Sequence, residues 1–414
     1  MDGIEQEEHP RLKVGKAEKL NTKGRCRGSM YELTEEQRMV QQTIRKIVSK
    51  EIEPKIGEID KIGDFPFDVA KMLIDHGFHL LPLPEEYGGY DSVLMNCLGI
   101  EELSKASIVV GYMLGGPSSV VNCFKGSKNE VAKKKYLKRL ADGEFPAFCI
   151  TEPDTGSDVG AIRTKAVLEG DEYVINGEKC FVTQGGVADF YVLFAKLSPE
   201  KGLDGIGAFV VDRKTEGVNI ERVNEEMGKH CGPTADISLT DVRVPKENLL
   251  GGEGEGIKLG FEAINPTRLY VASTALGAAE AALDYATRYA KERVAFGRKI
   301  SEFQAVQMLL AEMAMRIEAS RSLLYRVASM MDDPKKKERT PGFAALVKCF
   351  VTEKALEVAN YAMDVLGGHG YMMDHPLERI MRDIKSSHYM EGTNQIARVH
   401  TAKAVLNGTI NDSL

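Results

Sequence analysis

Two stretches of this chain gather the residue types that hold anions, move protons and let backbone approach a ligand. The first is Ile150-Thr151-Glu152-Pro153-Asp154-Thr155-Gly156-Ser157-Asp158-Val159-Gly160. Its hydroxyls, a proline that sets φ and a glycine at a tight turn can present N–H and O–H donors to a flavin or a phosphate. The same residue types also build a strand-entry turn closed by Asx-type hydrogen bonds. The second stretch runs Leu366-Gly367-Gly368-His369-Gly370-Tyr371, then Arg379-Ile380-Met381-Arg382-Asp383, then Tyr389-Met390-Glu391-Gly392-Thr393-Asn394-Gln395-Ile396. Gly367, Gly368 and Gly370 permit close backbone approach, although glycines also end helices. Glu391 stands just before a helix start. It is either a cap stabilised by the helix dipole or a general base at a pocket mouth.

Composition narrows the chemistry further. The chain has 414 residues, and 54 Lys and Arg against 61 Asp and Glu leave a net charge of −7. A mildly acidic chain has no general field to attract nucleic acid, and no apolar run approaches the roughly 20 residues of a membrane span. The seven cysteines are odd in number and scattered, with no CxxC. A disulfide scaffold or zinc knuckle is therefore not expected, and a reducing, cytoplasmic setting is. The eight histidines form no HExxH, so no protein-bound metal is expected.

Two or three domains are expected from the length, and the periodicities divide the chain. Residues 1–30 read as an extension, acidic and then basic without an apolar block. Residues 31–143 read as a helical domain. Thr34 and Gln37 make a capping box, Pro54 closes the first helix, and further helices are expected at 67–77, 92–105 and 131–140. The segment 107–124 is apolar with small residues, which suits a buried helix or a pocket wall. Residues 144–256 alternate instead. Asn176-Gly177 predicts a type I′ hairpin turn between strands at 172–175 and 180–183. More strands are expected at 190–196, 206–212, 218–223 and 235–244, the last stopped by Pro245. Short strands without helices between them suggest a compact antiparallel barrel or sandwich. Residues 257–414 are almost entirely helical, at 274–296, 305–331, 343–367 and 394–406, which describes a four-helix bundle, with a charged connector at 334–340. The fold class is mostly α with a central β-domain.

Two more segments complete a pattern. Pro84-Glu85-Glu86-Tyr87-Gly88-Gly89 precedes the first stretch, and Glu292-Arg293-Val294-Ala295-Phe296-Gly297-Arg298-Lys299-Ile300 with Gln304 lies between the two. With all four in order, the chain from about residue 31 onward resembles the acyl-CoA dehydrogenases. The resemblance implies a homotetramer binding FAD non-covalently. On this resemblance Phe148, Ile150, Thr151, Gly156, Ser157, Phe181, Val182 and Thr183 contact the cofactor, with Thr151 beside the flavin ring and Phe181 covering it. Arg293, Phe296 and Gln304 match residues that a neighbouring subunit offers. Asp364, Gly367, Gly368, Thr393 and Gln395 complete the cofactor set. Ser157, Asn265, Thr267, Arg268 and Gly392 match substrate-contacting positions.

The implied reaction is α,β-dehydrogenation of an acyl-CoA thioester, with electrons passed to an electron-transfer flavoprotein. An unactivated α-proton is too weakly acidic for a free carboxylate. The developing enolate must therefore be hydrogen-bonded, water excluded and the hydride acceptor aligned with the β-carbon. Glu391 matches the base. The family's alternative base position is occupied by Thr267, which cannot serve. Departures from the family pattern include Phe181 for the common Trp, Met390 for Tyr, and Asp364 for Gln or Glu. The 107–124 segment holds no cation before Lys125, so a neutral short or medium, branched or alicyclic acyl group is expected rather than a dicarboxylate. Two rival readings are an enoyl-CoA reductase running the reverse reaction on the same scaffold and a non-catalytic flavoprotein scaffold.

Overall fold

A computed structural model describes residues 33–336 and 340–410. The 1–30 extension lies outside the described residues, as does part of the 334–340 connector. The chain opens with α1 (Glu35–Ile47), α2 (Ile56–Ile62), α3 (Phe67–Asp75), α4 (Val93–Ser104), α5 (Ile108–Gly126) and α6 (Glu130–Ala141). The capping box forms as expected: Gln37 N donates to Thr34 Oγ1 at 3.2 Å, and Thr34 N donates to Gln37 Oε1 at 2.9 Å. A π-turn over Val48–Ile52 ends this helix just before Pro54, which has no N–H to extend the ladder. The expected 107–124 segment is α5, and it is both things foreseen: largely buried, and lining a cavity through Tyr112, Gly115, Gly116 and Ser119.

An eight-stranded sheet follows, built from β1 (Pro146–Cys149), β2 (Lys165–Glu169), β3 (Glu172–Val182), β4 (Phe190–Lys196), β5 (Ile206–Asp212), β6 (Val218–Val223), β7 (Ala235–Pro245) and β8 (Leu249–Gly251). Its order is β6-β7-β3-β2-β4-β5-β8, with β1 added on β4. Most pairs are antiparallel, but β1 and β2 each run parallel to β4. Among the described residues β6 and β8 do not pair, so the sheet is open and not a closed barrel. It has a sandwich-like interior, where Tyr191, Leu193, Phe209 and Val211 meet Ile175, Ile237, Leu239 and Val242. The other face of β4 and β5 packs Phe190, Phe194 and Val210 with Phe124 of α5 and Tyr136 of α6. The sheet is thereby fixed to the first helices.

The Asn176-Gly177 turn is a correction. These residues lie inside the single strand β3, at a register shift against β7 between Ile175 and Gly177. The hairpin turns earlier, at Gly170-Asp171, between the paired Glu169 and Glu172. The positive φ that suggested a turn is present, at 153° for Gly177, but it serves a bulge. A Cβ there would stand 2.4 Å from Thr164 Oγ1 and 2.6 Å from Thr164 Cα. Asn176 is used in the same place, its Oδ1 accepting from Asp241 N at 2.8 Å.

The helical remainder comprises α7 (Gly256–Glu292), the two-stranded β9 (Val294–Ala295) and β10 (Arg298–Lys299), α8 (Gln304–Met331), α9 (Thr340–Leu366), α10 (Leu377–Ser386) and α11 (Asn394–Leu406). Helix α7 begins 18 residues before the expected 274, running through Pro266. A proline and the polar run at 265–268 break the apolar period there. Helix α10 was not anticipated; it buries Leu377, Ile380 and Ile384 along one stripe. One core joins α4, α5, α7, α8 and α9. No helix among the described residues is long and apolar enough to cross a membrane.

Candidate active site

The loop after β1 is built around a buried ion pair. Glu152 and Lys179, 5% and 1% exposed, are 2.7 Å apart. Glu152 also accepts from the Arg163 and Thr164 amides. Lys179 Nζ donates to Ile150 O at 3.3 Å, and Cys180 N donates to Thr151 O at 3.0 Å. Burial acts to raise the Glu152 pKa, but Lys179 and these donors outweigh it, and the carboxyl is held below its usual range. Its acid is thus spent on holding the loop against β3, and the turn-forming reading of this stretch is part of the truth.

What this fixed loop helps to line is a cavity of about 1240 Å³, larger than the roughly 300–1,000 Å³ of most single-ligand pockets. Its walls bring together most of the expected site residues. Phe148, Ile150, Thr151, Gly156 and Ser157 come from β1 and its loop, and Phe181 and Thr183 from the end of β3. Asn265, Thr267 and Arg268 come from α7, and Glu391, Gly392 and Thr393 from the turn before α11. Phe181 is 64% exposed with φ at 54°, and its N–H is anchored on Asp236 at 3.2 Å. A bulky residue held in the left-handed region with its ring uncovered is strain without a packing reward, a mark of a ligand-facing position.

Other expected residues are not brought to the cavity. Val182 points into the sheet interior. Arg293 and Phe296 lie on the exposed link between α7 and α8 and Gln304 on the first turn of α8, and Asp364, Gly367, Gly368 and Gln395 are also exposed away from the cavity wall. Phe296 is 95% exposed with φ at 51°, so it too is strained without cover from its own chain. A Cβ at Gly156, Gly367 or Gly368 would meet nothing within 4 Å. That is open ground over backbone, which suits a closely seated ligand.

Glu391 sits in a strained turn, with φ at 54° for Glu391 and 89° for Gly392. Cations flank it but contact the backbone of the turn. Arg268 Nε donates to Glu391 O at 3.2 Å, and Lys348 Nζ donates to Gly392 O at 2.8 Å. Arg268 is itself braced by Asn265 Oδ1 and His400 Nδ1, each at 3.3 Å. Burial raises the Glu391 pKa, while Thr267, Arg268 and Lys348 oppose the rise. Among the described residues the Glu391 amide N–H has no acceptor. The other carboxylates on the cavity are placed differently. Asp158 is exposed, and Glu226 is tied to Lys229 Nζ at 3.1 Å and Thr234 Oγ1 at 3.0 Å.

Some lining residues escaped the sequence reading. Glu226, Met227 and Lys229 arrive from the β6–β7 connection, and Lys385 and His400 from α10 and α11. Lys229 Nζ lies 5.8 Å from the Tyr112 ring centroid, so a cation does approach the α5 wall, balanced by Glu226. Only the fold brings that connection near α5, and no local motif marks it.

The scaffold joins a helical domain, a sheet and a helical bundle around one large ligand-sized cavity, and comparison with known proteins makes its class specific. Three family models match in succession: the acyl-CoA dehydrogenase N-terminal domain over residues 34–144, the middle domain over 147–242 and the C-terminal domain over 254–406. An acyl-CoA dehydrogenase of Bacillus subtilis is 39% identical over 91% of this chain and 100% of its own. A 3-(aryl)acrylate reductase of Clostridium sporogenes is 38% identical over 90% and 99%. Among solved structures, a chain in that of the electron transferring flavoprotein of Acidaminococcus fermentans matches with a TM-score of 0.87. It is 41% identical and covers 91% of this chain and 99% of that one. The chain belongs to the acyl-CoA dehydrogenase family of flavoproteins and is an oxidoreductase.

Proposed function

We propose that the protein oxidises an acyl-CoA to the 2-enoyl-CoA with FAD as cofactor and Glu391 as base. The observation that carries this is Glu391 itself: a carboxylate on the cavity wall, made more basic by burial, with Arg268 on its own carbonyl and Lys348 on the carbonyl of Gly392 beside it. The α-proton ends on the Glu391 carboxylate. The unpaired Glu391 N–H is a donor for the thioester oxygen, where charge develops. Arg268 of α7 holds the carbonyl of the same residue. When bound, FAD supplies the two-electron acceptor for the β-hydride.

The residues present fit FAD. Phe181 offers an uncovered aromatic face, Thr151, Ser157 and Thr183 offer hydroxyls, and Gly156 offers open backbone, all on a cavity roomy enough for two ligands. Arg293, Phe296, Gln304, Gly367, Gly368, Asp364 and Gln395 stand away from this cavity. Our reading assigns the first three to the cofactor of a neighbouring copy in a homotetramer, supported by the uncovered, strained Phe296. The acyl group is neutral and short to medium, branched or alicyclic, because the α5 wall is apolar and Lys229 is already balanced by Glu226. Electrons pass on to an electron-transfer flavoprotein, a reading supported by the match to a chain in the structure of such a protein from Acidaminococcus fermentans.

A second reading has one observation in its favour, the likeness to a 3-(aryl)acrylate reductase. It is an enoyl-CoA reductase working in the opposite direction with the same groups. Anaerobic mixing with a panel of acyl-CoA and enoyl-CoA thioesters separates the two: bleaching of the flavin absorbance by saturated thioesters supports dehydrogenation. Glu391→Gln should keep the protein yellow and slow bleaching by orders of magnitude. Near-normal bleaching by that variant removes Glu391 as base.

A further inference from the structure

Helix α9 carries a lysine in the middle of an apolar run, Phe343-Ala344-Ala345-Leu346-Val347-Lys348-Cys349-Phe350-Val351. Lys348 is 0% exposed. A buried ammonium is costly unless each of its three N–H donors finds an acceptor. Lys348 Nζ meets His388 O at 3.0 Å, Gly392 O at 2.8 Å and Asn394 Oδ1 at 2.7 Å. Its donor capacity is filled, and every acceptor comes from one short segment, 388–394. That segment holds Glu391.

The segment needs outside support. It links the end of α10 to the start of α11, and across it the backbone closes by the Asn394 N to His388 O bond at 2.9 Å. Between those two residues Glu391 and Gly392 take left-handed backbone in succession, a conformation that persists in a non-glycine residue only where surroundings over-determine it. Lys348 ties both ends of this turn and its centre. Arg268 of α7 ties the Glu391 carbonyl between them. Asn394 is locked in turn, its Nδ2 donating to Thr352 Oγ1 at 3.1 Å one helical turn beyond Lys348.

We propose that Lys348 is a positioning residue for Glu391: its three hydrogen bonds hold the 388–394 turn so that the carboxylate and the amide of Glu391 are presented together to the thioester. The proposal rests on the reading of Glu391 as base. Lys348 has a second influence, its charge. Burial draws its pKa down to about 7, and Arg268 lowers it further, against Cys349, Glu391 and Glu353, which raise it. As a cation it works against the burial that raises Glu391. The other groups facing Glu391 are Thr267 and Arg268 of α7, with Tyr112 and Cys123 of α5. His400 of α11 faces Arg268.

The test compares Lys348→Met and Lys348→Gln with the parent tetramer-competent holoenzyme, reading kcat, KM, the pH profile of kcat/KM and flavin content with a thioester that the parent oxidises. Lys348→Met should retain flavin and bind thioester with KM changed less than about threefold, while kcat falls at least about tenfold. The acidic limb of its kcat/KM profile should move upward by about half a pH unit or more, because the cation opposing Glu391 protonation is gone. Lys348→Gln keeps two donors without the charge. It should recover part of kcat and keep the displaced limb, and it serves as the test should Lys348→Met fail to fold. Parent-like kcat in either variant overturns the proposal. So does a loss of kcat that tracks lost flavin or stability while the limb stays in place. Glu391→Gln run beside them separates the two claims: if it is inert and Lys348→Met is parent-like, the positioning proposal alone fails; if it is active, the assignment of the base fails first.

Discussion

Removing Lys179 while leaving Glu152 in place should unfasten the loop that carries Thr151 and Ser157. In Lys179→Met a carboxylate that is 5% exposed loses the cation 2.7 Å away. Taking one partner from a buried pair destabilises proteins by about 3–5 kcal/mol, chiefly because the other charge is left buried. Here the Arg163 and Thr164 amides still point at Glu152, so the lower end, about 3 kcal/mol, is expected. In a cooperative unit of 150–250 residues each kcal/mol is worth about 2–4 °C in Tm. The variant should therefore melt several degrees early and lose flavin more readily than the parent at equal protein concentration.

The pH dependence discriminates this account from simple loss of packing. In the parent, Glu152 has a folded pKa below its unfolded one. Its pairing contributes stability that is fully present above the unfolded value of about 4.3 and is lost as pH falls through the folded value. Without Lys179, burial is the dominant influence and lifts the Glu152 pKa above the unfolded value. The variant then gains relative stability on acidification, as Glu152 takes up a proton. The gap in Tm between variant and parent should narrow from pH 7.5 to pH 5. A gap below 1 °C, or one of equal size at both pH values, refutes the reasoning. The double variant Glu152→Gln with Lys179→Met should recover much of the loss, since no unpaired charge remains.

Two further outcomes follow from local geometry. Gly177→Ala forces a Cβ against the Thr164 backbone at a φ that only glycine adopts with ease, so urea denaturation should show a loss of about 2–4 kcal/mol, while an unchanged midpoint would mean that the bulge relaxes freely. Arg293→Ala should leave stability within about 0.5 kcal/mol, as expected of an exposed side chain, yet reduce flavin retention on gel filtration. A variant that stays fully yellow argues against the neighbouring-copy role.

The degree to which this fold was legible depended on which faces its elements bury. The first helix and the strands from β4 to β7 were found because caps, turn residues and alternation are local properties. The start of α7 was hidden by Pro266, and α10 by its short length and its overlap with a functional motif. Asn176-Gly177 misled for a definite reason: positive φ serves turns and bulges alike, and the choice was made by Thr164 on another strand and Asp241 on a third. The barrel alternative failed similarly, since closure depends on whether β6 and β8 meet, and neither strand encodes that.

The site divides along the same line. Residues whose chemistry is carried by sequence neighbours, such as Thr151, Glu391 and Gly392, are marked by the sequence alone. Residues whose meaning comes from distant partners are not: Lys229 is defined by where Tyr112 lies, and Lys348 by a turn 40 or more positions away. Lys348 nonetheless left a physical trace. A lysine with three or more apolar or small residues on either side, inside a helix that must be buried, cannot reach water. Its ammonium demands three oxygens that the helix itself cannot supply, and loops of left-handed backbone are where unpaired carbonyls are found. A lone lysine in a core helix is thus a pointer to a constrained turn elsewhere in the chain, and here that turn holds the acid on the cavity wall.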